Sequence, residues 1–300
     1  MYWLAVAFPA VRRVRLPVSR DQAMLLMAAI NEFFLGLDTL LAHSTSGTIR
    51  PYEWIPIVFG PAAGGLLLLA GLVALRRRAL ASSLATLVLL ASAVVGALGA
   101  YFHIARAVLP NAPAGQQVTL DLFVLAPPVL GPLAFALVGV LGISAAWVEA
   151  PPDSGLLVLS SRWRLQLPYP KTQAYFFAVS MGVLVALVSS VLDHARAGFE
   201  NPWLWLPLAA GILGMVVAAL LGMLERPTRA DLLTYIGAML ALIAVGVVGA
   251  VLHIQSDLGL HNAVIVERFL RGAPFLAPLL YCNMGLLGLI ALLDPAEGRA

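Results

Sequence analysis

The stretch Gly96-Ala-Leu-Gly99-Ala-Tyr-Phe-His103-Ile104 returns 150 residues later as Gly246-Val-Val-Gly249-Ala-Val-Leu-His253-Ile254. Five of the nine positions are identical in the two copies. In both, a histidine stands near the end of a long apolar run, four residues after a glycine. The repetition predicts two related halves of the chain, and it marks the histidines as candidates for a shared role.

The composition indicates a protein that lies in a membrane. Of the 300 residues, 61% are hydrophobic and 11% are charged, whereas soluble domains carry about 25% charged residues. The net charge of +3 is too small to indicate a nucleic-acid partner. The single cysteine, Cys282, excludes an internal disulfide and a thiolate-cluster metal site. We therefore predict an all-α integral membrane protein whose main partner is the lipid bilayer.

Eight apolar runs are long enough to cross a bilayer, since a crossing helix needs about 20 residues. They cover approximately residues 22–44, 55–75, 82–106, 122–147, 173–195, 204–224, 232–255 and 272–293. Basic residues are retained in cytoplasmic loops, and with the N-terminus inside, 13 of the 18 Lys and Arg residues fall on the inner side. We expect a multi-pass protein of the cell membrane with both termini cytoplasmic.

The similarity between the halves extends along the chain. Residues 43–56 match residues 194–207 at five of fourteen positions, and residues 123–143 match residues 269–289. We therefore predict two tandem four-helix bundles, which are parallel repeats because four is an even number of crossings. The predicted organisation is an N-terminal cytoplasmic or interfacial segment 1–21, a first repeat 22–148, a cytoplasmic linker 149–172, a second repeat 173–294 and a cytoplasmic tail 295–300.

Four histidines occupy matched places in this plan: His43 and His103 in the first repeat, His194 and His253 in the second. Each lies near the outer end of an outward-running helix, and the first and third helices of an up-down bundle are diagonally opposite. Each pair is therefore expected to approach a bundle axis, as a bis-imidazole site requires. Close helix packing with an ordinary histidine hydrogen bond between helices is the alternative interpretation.

Small residues and prolines surround the histidines. Gly99 and Gly249 lie one turn before His103 and His253, on the same helix face, where a missing side chain is expected to leave room for a planar cofactor. Two prolines fall within or near the start of the fourth helix of each repeat, and we expect them to bend that helix and widen the bundle. They are Pro128 and Pro132 in the first repeat, Pro274 and Pro278 in the second.

In its plan the pattern resembles the membrane b-type cytochromes, which place haem between paired histidines on diagonal helices. The resemblance implies haem b, with the four histidines as axial ligands in two pairs. It also implies that Arg106, Arg50 and Arg196 lie near the haem propionates. Electron exchange is then expected near the outer face, with quinone or quinol or with an extramembrane redox subunit.

Two other constellations leave alternatives open. A transition-metal ion held by the same histidines with Asp38, Asp193 or Asp257 is an alternative to haem, as is the absence of any cofactor. Glu32 and Asp38 on the first helix are interpreted as a proton path or a quinone site, because ionisable groups at membrane depth usually face a cavity or a partner; a hydrogen bond between helices explains them as well. The alternative functions are a cofactor-free membrane anchor or quinone-binding subunit of a larger complex, and a transporter. No catalytic residue or substrate follows from the sequence.

Overall fold

The computed structural model describes residues 2–13, 18–45, 47–74, 76–107, 115, 128–160, 162–195, 198–259 and 264–294. Helices dominate these ranges. They are α1 Leu4–Ala7, α2 Arg20–Ser44, α3 Trp54–Ala74, α4 Arg78–Ala107, α5 Leu130–Ala146, α6 Lys171–Ala195, α7 Trp205–Met223, α8 Arg229–Leu258, α9 Val266–Arg271 and α10 Leu279–Ala291. Short 3-10 turns at Pro9–Arg13, Pro51–Glu53 and Pro202–Leu204 complete the helical part.

The prediction of a helical, multi-pass membrane protein is confirmed. Within the described residues, α2, α3, α4, α6, α7 and α8 are long and apolar enough to cross a bilayer. Large apolar side chains point away from the protein along these helices; Leu72, Leu87 and Met223, for example, are 65%, 67% and 69% exposed. Outward apolar side chains at this density are expected against lipid rather than water.

The remaining two apolar helices are shorter than the predicted runs. Helix α5 has 17 residues and α10 has 13. The predicted run 272–293 becomes helical only at Leu279, because Pro274 and Pro278 cannot donate a backbone hydrogen bond and the residues between them form turns. The start of the other run, 122–127, lies outside the described residues.

The predicted linker contains a small antiparallel sheet that the sequence analysis did not foresee. Its strands are β1 Val148–Glu149, β2 Leu156–Val158 and β3 Arg164–Gln166, in the order β1-β2-β3. Val158 pairs with both Val148 and Arg164. Strands of two or three residues are too short to show the alternating pattern by which strands are predicted.

The eight larger helices form two sets with the same order of contacts. In the first helix set, α2 packs on α3, α3 on α4, α4 on α5, and α5 on α2. In the second helix set the corresponding circuit is α6, α7, α8 and α10. Helices α2 and α4 are therefore diagonal, as are α6 and α8. We call the end of the molecule at which these four diagonal helices finish the histidine end.

The N-terminal segment packs on the second helix set. Helix α1 lies against α8, and the ring of Trp3, which is buried, lies 5.0 Å from the ring of Phe176. Leu4 donates its backbone N–H to the carbonyl of Leu292. The segment thus covers the end of the second helix set that is opposite the histidines.

A buried ionic cluster joins the two helix sets at that same end. Lys171 at the start of α6 is fully buried and donates from Nζ to Oδ2 of Asp21 at 2.5 Å and to the carbonyl of Trp147 at 2.7 Å. Arg20 at the start of α2 donates to Thr172 Oγ1 at 2.5 Å and to Asp21 Oδ1 at 3.2 Å. Asp21 therefore bridges two buried cations that belong to different helix sets.

Replacing Lys171 by Met keeps most of the side-chain volume and removes the charge. We expect this variant to lose about 3–5 kcal/mol of unfolding free energy, because breaking a buried ion pair leaves the other charge without its partner. Unfolding of the purified protein in mixed micelles with increasing denaturing detergent measures the loss. Arg77→Met, at an exposed position, is the matched control and should change little. Equal stability of the two variants would contradict a role for the cluster in holding the helix sets together.

Candidate functional site

His43 and His103 meet at the histidine end of the first helix set. Their ring centroids are 6.1 Å apart and the ring planes are inclined by 75°. A metal bound about 2.0–2.1 Å from each nitrogen places the two ring centres about 6 Å apart, because each centre lies about 1 Å behind its nitrogen. The spacing therefore suits a shared metal centre, and it also suits a direct edge-to-face contact of the two rings. The structure thus brings the first predicted pair together.

Two histidines are oriented in the same way by a proline carbonyl. His103 Nδ1 lies 2.9 Å from the carbonyl oxygen of Pro128, and His253 Nδ1 lies 3.1 Å from that of Pro274. Since a carbonyl can only accept, Nδ1 carries the proton, and in the neutral ring the lone pair is on Nε2. Metal-binding histidines are commonly fixed by such a second hydrogen bond.

The sequence supplies these acceptors through a repeated spacing of prolines. Pro132 follows Pro128 by four residues, and Pro278 follows Pro274 by four. In a helix the carbonyl of one residue accepts from the N–H four residues later, and proline has no N–H. Both carbonyls consequently lack that donor. The Pro128 carbonyl accepts from His103, and the Pro274 carbonyl accepts from His253 and also from the backbone N–H of Ala277 at 3.0 Å. The sequence predicts that these prolines bend the helix; instead they lie before the helix or at its first turn. Their spacing is the sequence signal for the two histidine acceptors.

The glycines beside the histidines allow a close approach of helices. A Cβ atom at Gly99 would lie 2.7 Å from Cβ of Pro132, and one at Gly249 would lie 2.8 Å from Cβ of Pro278. The space beside both glycines is therefore occupied by a proline ring, and helix packing accounts for them. A role of Gly99 and Gly249 in making room for a cofactor stays a prediction.

The second pair makes no ring-to-ring contact among the described residues. His194 and His253 are close enough for their charges to interact. The nearest described ring to His194, however, is that of Phe199 at 6.2 Å. Ser190 Oγ lies 3.3 Å from Nδ1 of His194. The first pair is thus a ring-to-ring contact in this structure, whereas the described ring contact of His194 is with Phe199 and not with His253.

Charged residues at the rim surround the first pair. Oε2 of Glu53, which is buried, lies 3.6 Å from Nδ1 of His43 and accepts the backbone N–H of Arg50. Arg106 is exposed and close enough to His103 for the two charges to interact. The Arg50 guanidinium donates to the hydroxyl of Tyr52 at 3.0 Å. Arg196, the third arginine of the prediction, lies outside the described residues.

A second link between α2 and α4 lies deeper in the first helix set. Ser92 Oγ on α4 lies 2.5 Å from Glu32 Oε1 on α2 and 2.9 Å from the carbonyl oxygen of Phe135. The sequence predicts a functional role for Glu32, but it does not predict Ser92 as its partner. A signal was present, since Glu32 precedes His43 by 11 residues and Ser92 precedes His103 by 11.

Asp38 lies away from this link. It is half-buried on α2 and within electrostatic range of Asp193 on α6. The hydrogen bonds that the structure describes join Glu32 to Ser92 and do not extend it toward Asp38. The two carboxyl groups of the predicted proton path are therefore not linked to one another by the described side chains.

The neighbouring cavity is small. Asn31 lines a cavity of about 20 Å³ between the helix sets, together with residues such as Leu137 and Met284. This volume holds about one water molecule, whereas small-molecule pockets measure about 300–1,000 Å³. The cavity beside Asn31 is thus too small for a quinone ring.

A bare metal ion needs several ligand groups close together. Within the described ranges, no group of three or more His, Cys, Asp or Glu side chains is placed to hold an ion. Asp257, named as a possible ligand, accepts the backbone N–H of Ala273 at 2.9 Å. It therefore anchors the segment that follows α9.

Comparisons of the chain with protein-family models, with curated proteins and with solved structures give no match.

Gly246→Ala tests the close approach of helices beside the histidines. The new methyl group would lie 2.5 Å from the backbone nitrogen of Cys282 and 2.8 Å from the carbonyl oxygen of Pro278, and we expect a loss of about 1–3 kcal/mol from overpacking. At Gly65 nothing lies within 4 Å of the added atom, so Gly65→Ala should be neutral or stabilising by up to about 1 kcal/mol. Thermal unfolding in detergent compares the variants. Equal melting temperatures would show that the helices are not packed this closely.

Proposed function

We propose that the protein is a membrane electron-transfer protein that holds a b-type haem between His43 and His103. The observation that supports this most is the spacing of 6.1 Å between the centres of the two rings. In addition, the hydrogen bond from Nδ1 of His103 to the Pro128 carbonyl leaves the lone pair on Nε2, which is then available as a ligand atom. Haem brings its equatorial nitrogens with it and takes two axial ligands from the protein. A structural or catalytic zinc ion, in contrast, takes three or four protein ligands, so a pair of imidazoles favours haem.

The proposed architecture is two parallel repeats of four crossing helices. It is supported by the equal order of contacts in the two helix sets and by the two equivalent bonds from histidine to a proline carbonyl. The histidine end is proposed to face away from the cytoplasm, because most basic residues of the sequence lie toward the other end. Both termini would then be cytoplasmic, in the cell membrane.

The proposal gives the residues around the haem separate roles. His43 and His103 would hold the haem iron, and the haem would supply one-electron redox chemistry. Glu53, at 3.6 Å from Nδ1 of His43, orients that ring. Arg106 at the rim is suited to pair with a propionate. The same plan assigns a second haem to His194 and His253.

Electron exchange is proposed to occur at the histidine end, because both histidine pairs lie there. The electron donor or acceptor is a quinol or quinone that approaches from the bilayer, or an extramembrane redox subunit. A cofactor-free membrane anchor or quinone-binding subunit is the competing function, since the edge-to-face contact of His43 and His103 also exists without a metal. A transporter is the third candidate, which the buried Glu32 on α2 supports.

The absorption spectrum of the purified protein, expressed with ample haem supply, distinguishes these functions. We expect the Soret and alpha bands of a six-coordinate b-type haem, and their loss or marked weakening in His43→Ala and in His103→Ala because each substitution removes an axial ligand. His261→Ala, which changes the remaining histidine of the chain, should keep the full spectrum. A folded but colourless protein would contradict the haem proposal and favour the cofactor-free function.

A further inference from the structure

Glu32 lies at the midpoint of α2, one of the helices long and apolar enough to cross a membrane. It stands twelve residues from each end of α2, Arg20–Ser44, and its side chain is fully buried. Its hydrogen-bond partner Ser92 on α4 is also fully buried. The two residues connect the diagonal helices α2 and α4, as the ring contact of His43 with His103 also does.

The contact between Ser92 and Glu32 has too few protons for an ionised Glu32. The Ser92 hydroxyl has one proton to donate, yet its oxygen lies 2.5 Å from Glu32 Oε1 and 2.9 Å from the carbonyl oxygen of Phe135. The Phe135 carbonyl can only accept. An ionised Glu32 can also only accept, so two acceptors would then compete for a single proton. A protonated Glu32 resolves the conflict, because its own O–H donates to Ser92 while Ser92 donates to Phe135.

The surroundings of the carboxyl group point the same way. Within the described part of the chain, Oε2 of Glu32 is buried and makes no hydrogen bond, as suits the carbonyl oxygen of a neutral acid better than an ionised oxygen. The salt bridges among the described residues involve other carboxylates and do not include Glu32. A charge buried without a counter-ion is strongly disfavoured.

We infer that Glu32 is held as a neutral carboxylic acid that donates its proton to Ser92, and that this bond joins α2 to α4 beneath the histidine pair. Eleven residues correspond to about three helical turns, so Glu32 lies on the His43 face of α2 and Ser92 on the His103 face of α4. The diagonal helices are therefore joined at two levels, by the polar bond inside and by the imidazoles at the end.

The second helix set differs at the inner level. Val183 and Leu242 precede His194 and His253 by the same 11 residues, and both are fully buried apolar side chains. A directional bond between α2 and α4 thus accompanies the histidine pair whose rings are in contact, and buried apolar side chains occupy the corresponding positions of the other helix set. The inference does not depend on the proposed haem, because the protonation of Glu32 follows from the described contacts alone.

Infrared difference spectroscopy of the membrane-reconstituted full-length protein at neutral pH tests the inference. In the spectrum of the unmodified protein minus that of Glu32→Gln, we expect one positive band in the region of protonated carboxylic acids and no corresponding carboxylate bands. The band should shift on prolonged exchange into D2O. Glu267→Gln is the matched control, since Glu267 is 63% exposed and ion-paired with Arg271 at 2.8 Å, and its difference spectrum should show carboxylate bands.

Ser92→Ala provides a second, independent readout. The carboxylic acid band should remain and move to higher frequency, because the O–H of Glu32 loses its acceptor. Carboxylate bands in the Glu32→Gln difference spectrum, or a band that Ser92→Ala leaves in place, would overturn the inference. If the protein proves colourless, a carboxylic acid band still upholds this inference while the haem proposal fails. If haem is bound, the same band test applies unchanged.

Discussion

The arrangement of the histidine end depends on the missing N–H of a proline. In a regular helix the carbonyls of Pro128 and Pro274 would be satisfied by the residue four positions later. That residue is Pro132 or Pro278, which has no proton to give. The imidazole of His103 donates to the Pro128 carbonyl instead, and that of His253 donates to the Pro274 carbonyl beside the backbone N–H of Ala277. These bonds fix which nitrogen of each ring carries the lone pair. A local backbone constraint thereby sets the direction of a side chain on another helix.

Glycine makes that hydrogen bond reachable. The proline rings lie against Gly99 and Gly249 at distances that a side chain would not allow. The glycine-histidine spacing on one helix and the proline-proline spacing on its neighbour are thus two parts of one packing arrangement. The first helix set adds a polar contact between Glu32 and Ser92, and at the opposite end Asp21 holds Arg20 and Lys171 from the two helix sets. Directional contacts therefore occur at both ends and at mid-depth, although most of the buried surface is apolar.

Much of the fold was predictable because long apolar runs in the sequence identify membrane helices without any knowledge of how the helices pack. The diagonal placement of His43 and His103 followed from helix order, and the structure brings these rings together. Features that depend on which group faces which across helices were not predictable from composition. Ser92 has no local signal beyond its distance from His103, and the β-strands at 148–166 are too short for a periodic pattern. The start of α10 at Leu279 was misjudged because apolar residues around Pro274 continue the hydropathy signal while the prolines interrupt the helix.

The most direct measurement of the central claim is the tautomer of the histidine rings, obtained by nitrogen-15 NMR of the detergent-solubilised or reconstituted protein labelled at histidine. The account predicts that His103 and His253 carry their proton on Nδ1 at a pH at which the rings are neutral. It also predicts that Pro132→Ala, which restores a backbone donor to the Pro128 carbonyl, weakens this preference at His103 and leaves His253 unchanged. A proton on Nε2 of both rings in the unmodified protein would contradict the account.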